Sequence, residues 1–186
     1  MAVALAEVLA AAGCEPVRLV GKADGPWRQV DGRPLQVVVE DREDTHALTG
    51  IAAALSACAT QTCVVVATDL PFLTPEAVRA VAGVPPPAIA FADDFRLVLH
   101  LHRDQSAGAL AMRDAGMSVR NFVEGATRVP VDSALVDDLD ERPGVDPLEA
   151  WLRRLPPLSV AAIEAERCRL LARGVRWRLG DGQRGA

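Results

Sequence analysis

Asp69 stands where an apolar run stops: Val64-Val65-Val66-Ala67-Thr68-Asp69-Leu70-Pro71-Phe72-Leu73-Thr74-Pro75-Glu76 passes from β-branched residues into a carboxylate and a proline-bounded turn. Such a run predicts a strand buried on both faces, the kind found inside parallel sheets flanked by helices, with Asp69 at its carboxyl end. Ligands of open α/β sheets bind beyond the carboxyl ends of the strands, where a carboxylate can hold a metal ion or a polar ligand. It can equally cap or bend a turn, and the segment alone leaves both readings open. Asp138-Leu139-Asp140 offers two more carboxylates, either for a cation or as a solvated acidic turn. His100 and His102 share one face of a predicted strand, a spacing compatible with transition-metal ligation. No third ligand is suggested, which favours exposed strand-face or substrate-side histidines. His46 is expected to cap or line a loop, and Arg96, Arg103 and Arg120 to be solvated surface charges.

The elements that must position these groups follow from periodicity and punctuation. Val3, Leu5, Val8 and Leu9 recur at helical spacing before a stop at Gly13. Strands are predicted at 16–20, ending at Gly21, and at 35–39, running into Glu40-Asp41. Leu48, Ile51, Ala52 and Leu55 make a helix face with Gly50 in its first turns. Glycine inside a helix costs about 1 kcal/mol against alanine, so close approach of a neighbouring group is one reason for it. A strand over 62–66 leads through Asp69 to a helix over 75–83, with Thr74 as cap, Pro75 at its first position and Glu76 suited to the helix dipole. Apolar runs at 88–91 and 95–101 predict paired strands. Helices are expected at 106–115 and 118–124, the latter capped by Ser118, and a strand at 129–131. Asp146-Pro147-Leu148-Glu149 has the form of a helix start, and a further helix is expected from about 160 to 171. Alternating strands and helices indicate a three-layer α/β/α sandwich.

The 186 residues, 50% apolar and 24% charged, suit one globular domain that buries a core without staples. A net charge of −5 argues against a nucleic-acid or anionic-membrane surface. Cys14, Cys58, Cys63 and Cys168 lack the spacing of zinc or redox sites and are expected to be buried thiols. The apolar residues 2–13 lack a basic leader and contain Glu7, which predicts an amphipathic helix rather than a signal peptide. No run approaches the roughly 20 apolar residues that span a bilayer. A cytoplasmic protein is expected.

Several segments, in order, resemble the MobA-like molybdenum cofactor nucleotidyltransferase family of the nucleotide-diphospho-sugar transferase fold. Residues 35–55, LQVVVEDREDTHALTGIAAAL, are similar to that family's strand, acidic turn and Gly-Pro-Leu-x-Gly helix start. ATDLPFL at 67–73 resembles its Cys-Asp-x-Pro-Phe motif, RDAGMSVRNFVE at 113–124 its Gly-x-x-x-Arg helix pair, and DLDERPGVDPLEAW at 138–151 its late metal-site segment. The resemblance covers roughly residues 4–154. It implies a Rossmann-like, mostly parallel sheet in a domain over 1–155, followed by a helical extension and tail over 156–186. It also implies Mg2+ as cofactor, GTP or CTP as substrate and molybdopterin as acceptor, with a molybdoenzyme or cofactor-biosynthesis protein as partner. Asp69 would coordinate magnesium, with Asp138 and Asp140 in the places of two late asparagines. Gly21 and Asp41 would lie near the nucleotide, Gly50 would let a helix start approach it, and Arg120 would help hold an anionic acceptor.

The chain departs from that pattern where family members carry a first strand and a Gly-rich loop that cradles triphosphate. No such segment occurs in it, and His46-Ala47 replace the Gly-Pro pair. Polyphosphate needs amides and cations around it, so a chain without that loop is expected to bind it poorly, and Lys22, its one lysine, is a poor substitute. An absent first strand also predicts a gap in the sheet, which either another segment fills or a longer protein closes. Three functions therefore stand as expectations: transfer of GMP or CMP to molybdopterin, complete or not as the sequence is given; a non-catalytic cofactor- or partner-binding relative; and a sugar-nucleotide glycosyltransferase or sugar-phosphate nucleotidyltransferase, supported by fold and by Asp138-x-Asp140.

Overall fold

The computed structural model describes residues 2–22, 36–40, 46–70, 72–92 and 94–132. The chain divides into two units, Met1–Glu141 and Arg142–Ala186, and every described residue lies in the first. The expected boundary near residue 155, the tail over 156–186 and the two late helix starts lie outside the described residues.

Local chemistry sets the elements: α1 (Ala2–Ala11), β1 (Arg18–Gly21), β2 (Gln36–Val39), α2 (Ala47–Ala57), β3 (Thr62–Val66), α3 (Pro75–Ala82), β4 (Ala88–Phe91), β5 (Phe95–His102), α4 (Ser106–Asp114), α5 (Val119–Phe122) and β6 (Thr127–Pro130). Gly13, at φ 91°, turns the chain after α1 in a conformation that side chains rarely adopt. Thr74 Oγ1 accepts the Ala77 N–H to start α3, with Pro75 at the first position. Ser118 and Asn121 exchange hydrogen bonds as a capping box at α5.

Side chains that alternate along β4 and β5 separate two cores. Ala88, Ala90 and Val98 pack with Leu5 of α1 and Ala77, Val78 and Val81 of α3. Ile89, Leu99 and Leu101 pack with Leu48, Ile51, Ala52 and Leu55 of α2, Ala109 of α4 and Val119 of α5. Helices thus cover both faces, giving the expected α/β/α layering. The Ser106 hydroxyl ties α4 to the Ala52 carbonyl of α2 at 3.0 Å.

Hydrogen bonding orders four strands as β3-β5-β4-β6, while β1 and β2 pair separately. The β1–β2 and β4–β6 pairs are parallel, and β5 runs antiparallel to both β3 and β4. The expected pairing of 88–91 with 95–101 is this β4–β5 hairpin. Arg18 anchors the smaller sheet, donating to Gln36 Oε1 at 3.0 Å and to the Ala57 carbonyl at the end of α2 at 2.6 Å.

β3 differs from its expectation in one respect. Its faces are covered, Val64 and Val66 by the α1–α3 core and Cys63 and Val65 by the α2 core, which accounts for the unbroken apolar run. Yet all five residues are only half-buried, and the strand's sheet neighbour is antiparallel. Among the described residues β3 ends its sheet, and its other edge opens onto a cavity.

Candidate functional site

Strand direction gathers the candidate groups at one end of the layers. The carboxyl end of β3 continues through Thr68 to Asp69, and the Ala67 N–H still bonds the Leu97 carbonyl of β5 at 2.9 Å. Asp69 is half-buried and lines a cavity of about 340 Å³ together with Val20 of β1, Glu40, and Ala47, Gly50 and Ile51 of α2. Three elements separated in sequence therefore present their ends to one space, as α/β crevices do.

Gly50 shows why a helix tolerates glycine there. A Cβ at that position would stand 3.1 Å from Glu40 Oε1, tighter than side chains ordinarily approach. Glu40 N–H bonds the Gly21 carbonyl at 3.0 Å, and the Glu40 carboxylate forms an ion pair with Lys22. Gly21, Lys22, Glu40 and Gly50 are thus one constellation. The expected close approach to Gly50 is observed, but the approaching group is the Glu40 carboxylate. Glycine in the helix face and the adjacent acids were the available signals. Asp41 itself lies outside the described residues.

The α2 start carries no acidic residue, and the His46 ring caps it, Nδ1 accepting the Leu48 N–H at 3.2 Å. This is the expected capping role for His46. The histidine pair behaves differently from its expectation. His100 is buried with Nδ1 2.9 Å from the Val84 carbonyl, whereas His102 is exposed. The β5 face carrying Val98 is covered by α3, so an imidazole two residues on is enclosed rather than solvated. Among the described residues no group of three or more His, Cys, Asp or Glu side chains is placed to hold a metal ion.

Arg120 belongs to a separate cluster at the β4–β5 turn. Its guanidinium pairs with Asp94 and stacks 5.0 Å above the Phe95 ring centroid. The Phe95 N–H bonds Asp94 Oδ1 at 2.7 Å. That backbone donor first, and then Arg120, holds the Asp94 carboxyl below its ordinary value. The antiparallel register puts this turn at the same end of the sheet as Asp69, since Val66 faces Val98 and the chain beyond Val66 runs toward Phe95. Asp138 and Asp140 lie outside the described residues.

Cys14, Cys58 and Cys63 are free thiols and half-buried rather than buried as expected, and Cys168 lies outside the described residues. Burial, then its neighbour Cys58, pushes the Cys63 thiol up to about 12, and burial also raises that of Cys14.

Comparisons with known proteins agree with this geometry. A search among curated proteins returns no match. A solved crystal structure of an Aquifex aeolicus VF5 protein superposes with a TM-score of 0.53 at 16% sequence identity, over 58% of this chain and 63% of that one. The present chain thus spans less than two thirds of that relative, and the likeness shows the fold. The family model described as the MobA-like NTP transferase domain matches residues 1–129, and with strands, helices and crevice arranged as above the chain belongs to this nucleotidyltransferase family.

Proposed function

We propose that this domain transfers a nucleoside monophosphate, GMP or CMP, from GTP or CTP to the terminal phosphate of molybdopterin, in the cytoplasm and alongside a molybdoenzyme or cofactor-biosynthesis partner. The observation that carries the reading is Asp69, a half-buried carboxylate at the carboxyl end of β3 that lines the crevice between β1 and the start of α2.

A carboxylate there suits magnesium, which binds proteins through one or two carboxylates and takes its remaining oxygens from phosphates and water. Asp69 would hold the ion, with Asp138 or Asp140 as a second carboxylate. When bound, the ion neutralises polyphosphate charge and aligns the reacting phosphates. The residues of the chain supply position. Gly50 gives the Glu40 carboxylate room beside the first turns of α2, and the positive end of that helix favours a phosphate near it. Glu40 has its charge balanced by Lys22, which reduces repulsion of an anionic ligand. Arg120 spends part of its guanidinium on Asp94 and keeps further N–H donors for an anionic acceptor. The acceptor phosphate is itself the nucleophile, so no side chain needs to become one.

Calorimetric titration with GTP and with CTP, each with and without magnesium, tests the reading. Magnesium-dependent binding is expected, and Asp69→Asn should weaken it by about tenfold or more, roughly 1.4 kcal/mol. Absence of magnesium-dependent heat from both nucleotides overturns it. One observation favours a second reading, a binding module without turnover: Lys22, the chain's one lysine, is committed to Glu40. Nucleotide binding without release of pyrophosphate in the presence of molybdopterin would select that reading.

A further inference from the structure

Two arginine–phenylalanine stacks adjoin at the rim of the larger sheet. Phe91 closes β4, Phe95 opens β5, and the antiparallel register sets them directly opposite each other. Opposed residues share a face with Cβ atoms about 5 Å apart, so the two half-buried rings are neighbours. The Arg120 guanidinium lies 5.0 Å from the Phe95 ring centroid, and that of Arg128 lies 4.8 Å from the Phe91 centroid.

Strand order and direction locate the pair. Phe95 packs against the core that α2, α4 and α5 share, and Arg128 of β6 stands opposite Ile89 of the same core, so both stacks lie on the α5 face. β3, β4 and β6 run in one direction, which puts the stacks at the same carboxyl-end rim as Asp69. The order β3-β5-β4-β6 carries Arg128 three strands from β3, about 14 Å at ordinary strand spacing. Neither arginine lines the crevice that Asp69 occupies.

The two cations are committed to different degrees. Arg120, with 64% of its side chain exposed, gives an N–H to Asp94, a carboxylate that Arg96 also helps to neutralise. Arg128 is exposed, and its side chain makes no hydrogen bond or ion pair among the described residues. A guanidinium stacked on a ring is held in one plane while its N–H edge stays available, and that fork of donors matches an oxyanion. Holding the plane beforehand lowers the ordering cost of binding.

We infer that Arg120 and Arg128 form a second oxyanion site, on the α5 face of the rim, for a ligand that carries two or more linked phosphate groups. One phosphate satisfies one fork, whereas a chain of phosphates reaches both. Position favours a small ligand, since the ligands of α/β sheets gather beyond the carboxyl ends of the strands. The site goes beyond the reading of Arg120 as an acceptor contact, because it requires neither a metal ion nor a reaction at Asp69.

Titration of the full chain with tripolyphosphate in metal-free buffer of low ionic strength tests it, followed through the arginine Nε–H signals in nitrogen-15 spectra. The Arg120 and Arg128 signals are expected to shift on one saturation curve. Affinity should fall about tenfold in Arg128→Gln and again in Arg120→Gln, and orthophosphate should bind the native chain about tenfold more weakly than tripolyphosphate. An unmoved Leu99 amide in each variant shows that the core is kept. The inference is overturned if tripolyphosphate does not bind, if it binds while the Arg128 signal stays fixed, if Arg128→Gln binds as tightly as the native chain, or if orthophosphate binds as tightly as tripolyphosphate.

Discussion

β5 and β2 are both apolar strands, yet the protein invests in them differently. Val98, Leu99 and Leu101 of β5 are enclosed between strands on either side and helices on both faces. In β2 no residue is buried, and Val39 keeps 45% of its surface exposed. Composition does not separate them, since Val37, Val38 and Val39 are as apolar as anything in β5. What separates them is the number of covered edges and faces, and the crevice with Asp69 lies along the boundary between the firm region and the loose one.

A matched deletion measures that contrast. Val98→Ala removes two methyl groups from a site with no exposure and is expected to cost about 2–3 kcal/mol, including the cavity left behind. Val38→Ala removes the same atoms from a half-buried strand and should cost about 1 kcal/mol or less. Urea unfolding of both variants checks the pair; equal losses would show that the small sheet is as tightly packed as the large one. A smaller effect on the firm side comes from Thr74→Ala, which removes the acceptor for the Ala77 N–H and is expected to lower unfolding free energy by about 1 kcal/mol. If Thr74→Ala cost as much as Val98→Ala, helix starts rather than burial would dominate this region.

Local signals made much of the firm region legible. The strand over 62–66 and the helix start at Thr74-Pro75 are where the β-branched run and the capping residues put them, and the 88–91 and 95–101 runs pair as a hairpin. The apolar character of β3 announced helices on both faces correctly. Its place at the end of a sheet among the described residues was not legible in its own periodicity, because partner strands are chosen by tertiary packing; only the absent first strand predicted a gap in the sheet. His100 misled for a related reason: alternation gives the face of a strand, but whether α3 or water covers that face depends on residues 20 positions away. The crevice was legible as an acid after a strand and a glycine in a helix. The Lys22–Glu40 pair was not, since each member sits beside a segment whose course sequence alone leaves open.

The smallest expected effect concerns the turn that joins the two best-buried strands. Asp94 is held below its ordinary value first by the Phe95 N–H and then by Arg120, so the folded state binds this proton less readily than the unfolded chain. Its contribution to stability is therefore complete above the ordinary carboxylate value of 3.8 and is lost as pH falls through the depressed one. Both side chains are largely exposed, so solvent screening keeps the contribution small. Thermal unfolding followed from pH 5 to strongly acid solution should show a slightly shallower decline for Asp94→Asn than for the native chain. Arg120→Gln should remove only part of the difference, because the backbone donor remains. A complete loss of the difference in Arg120→Gln would assign the effect to the ion pair and make the hairpin turn depend on α5, extending the firm region by one more element.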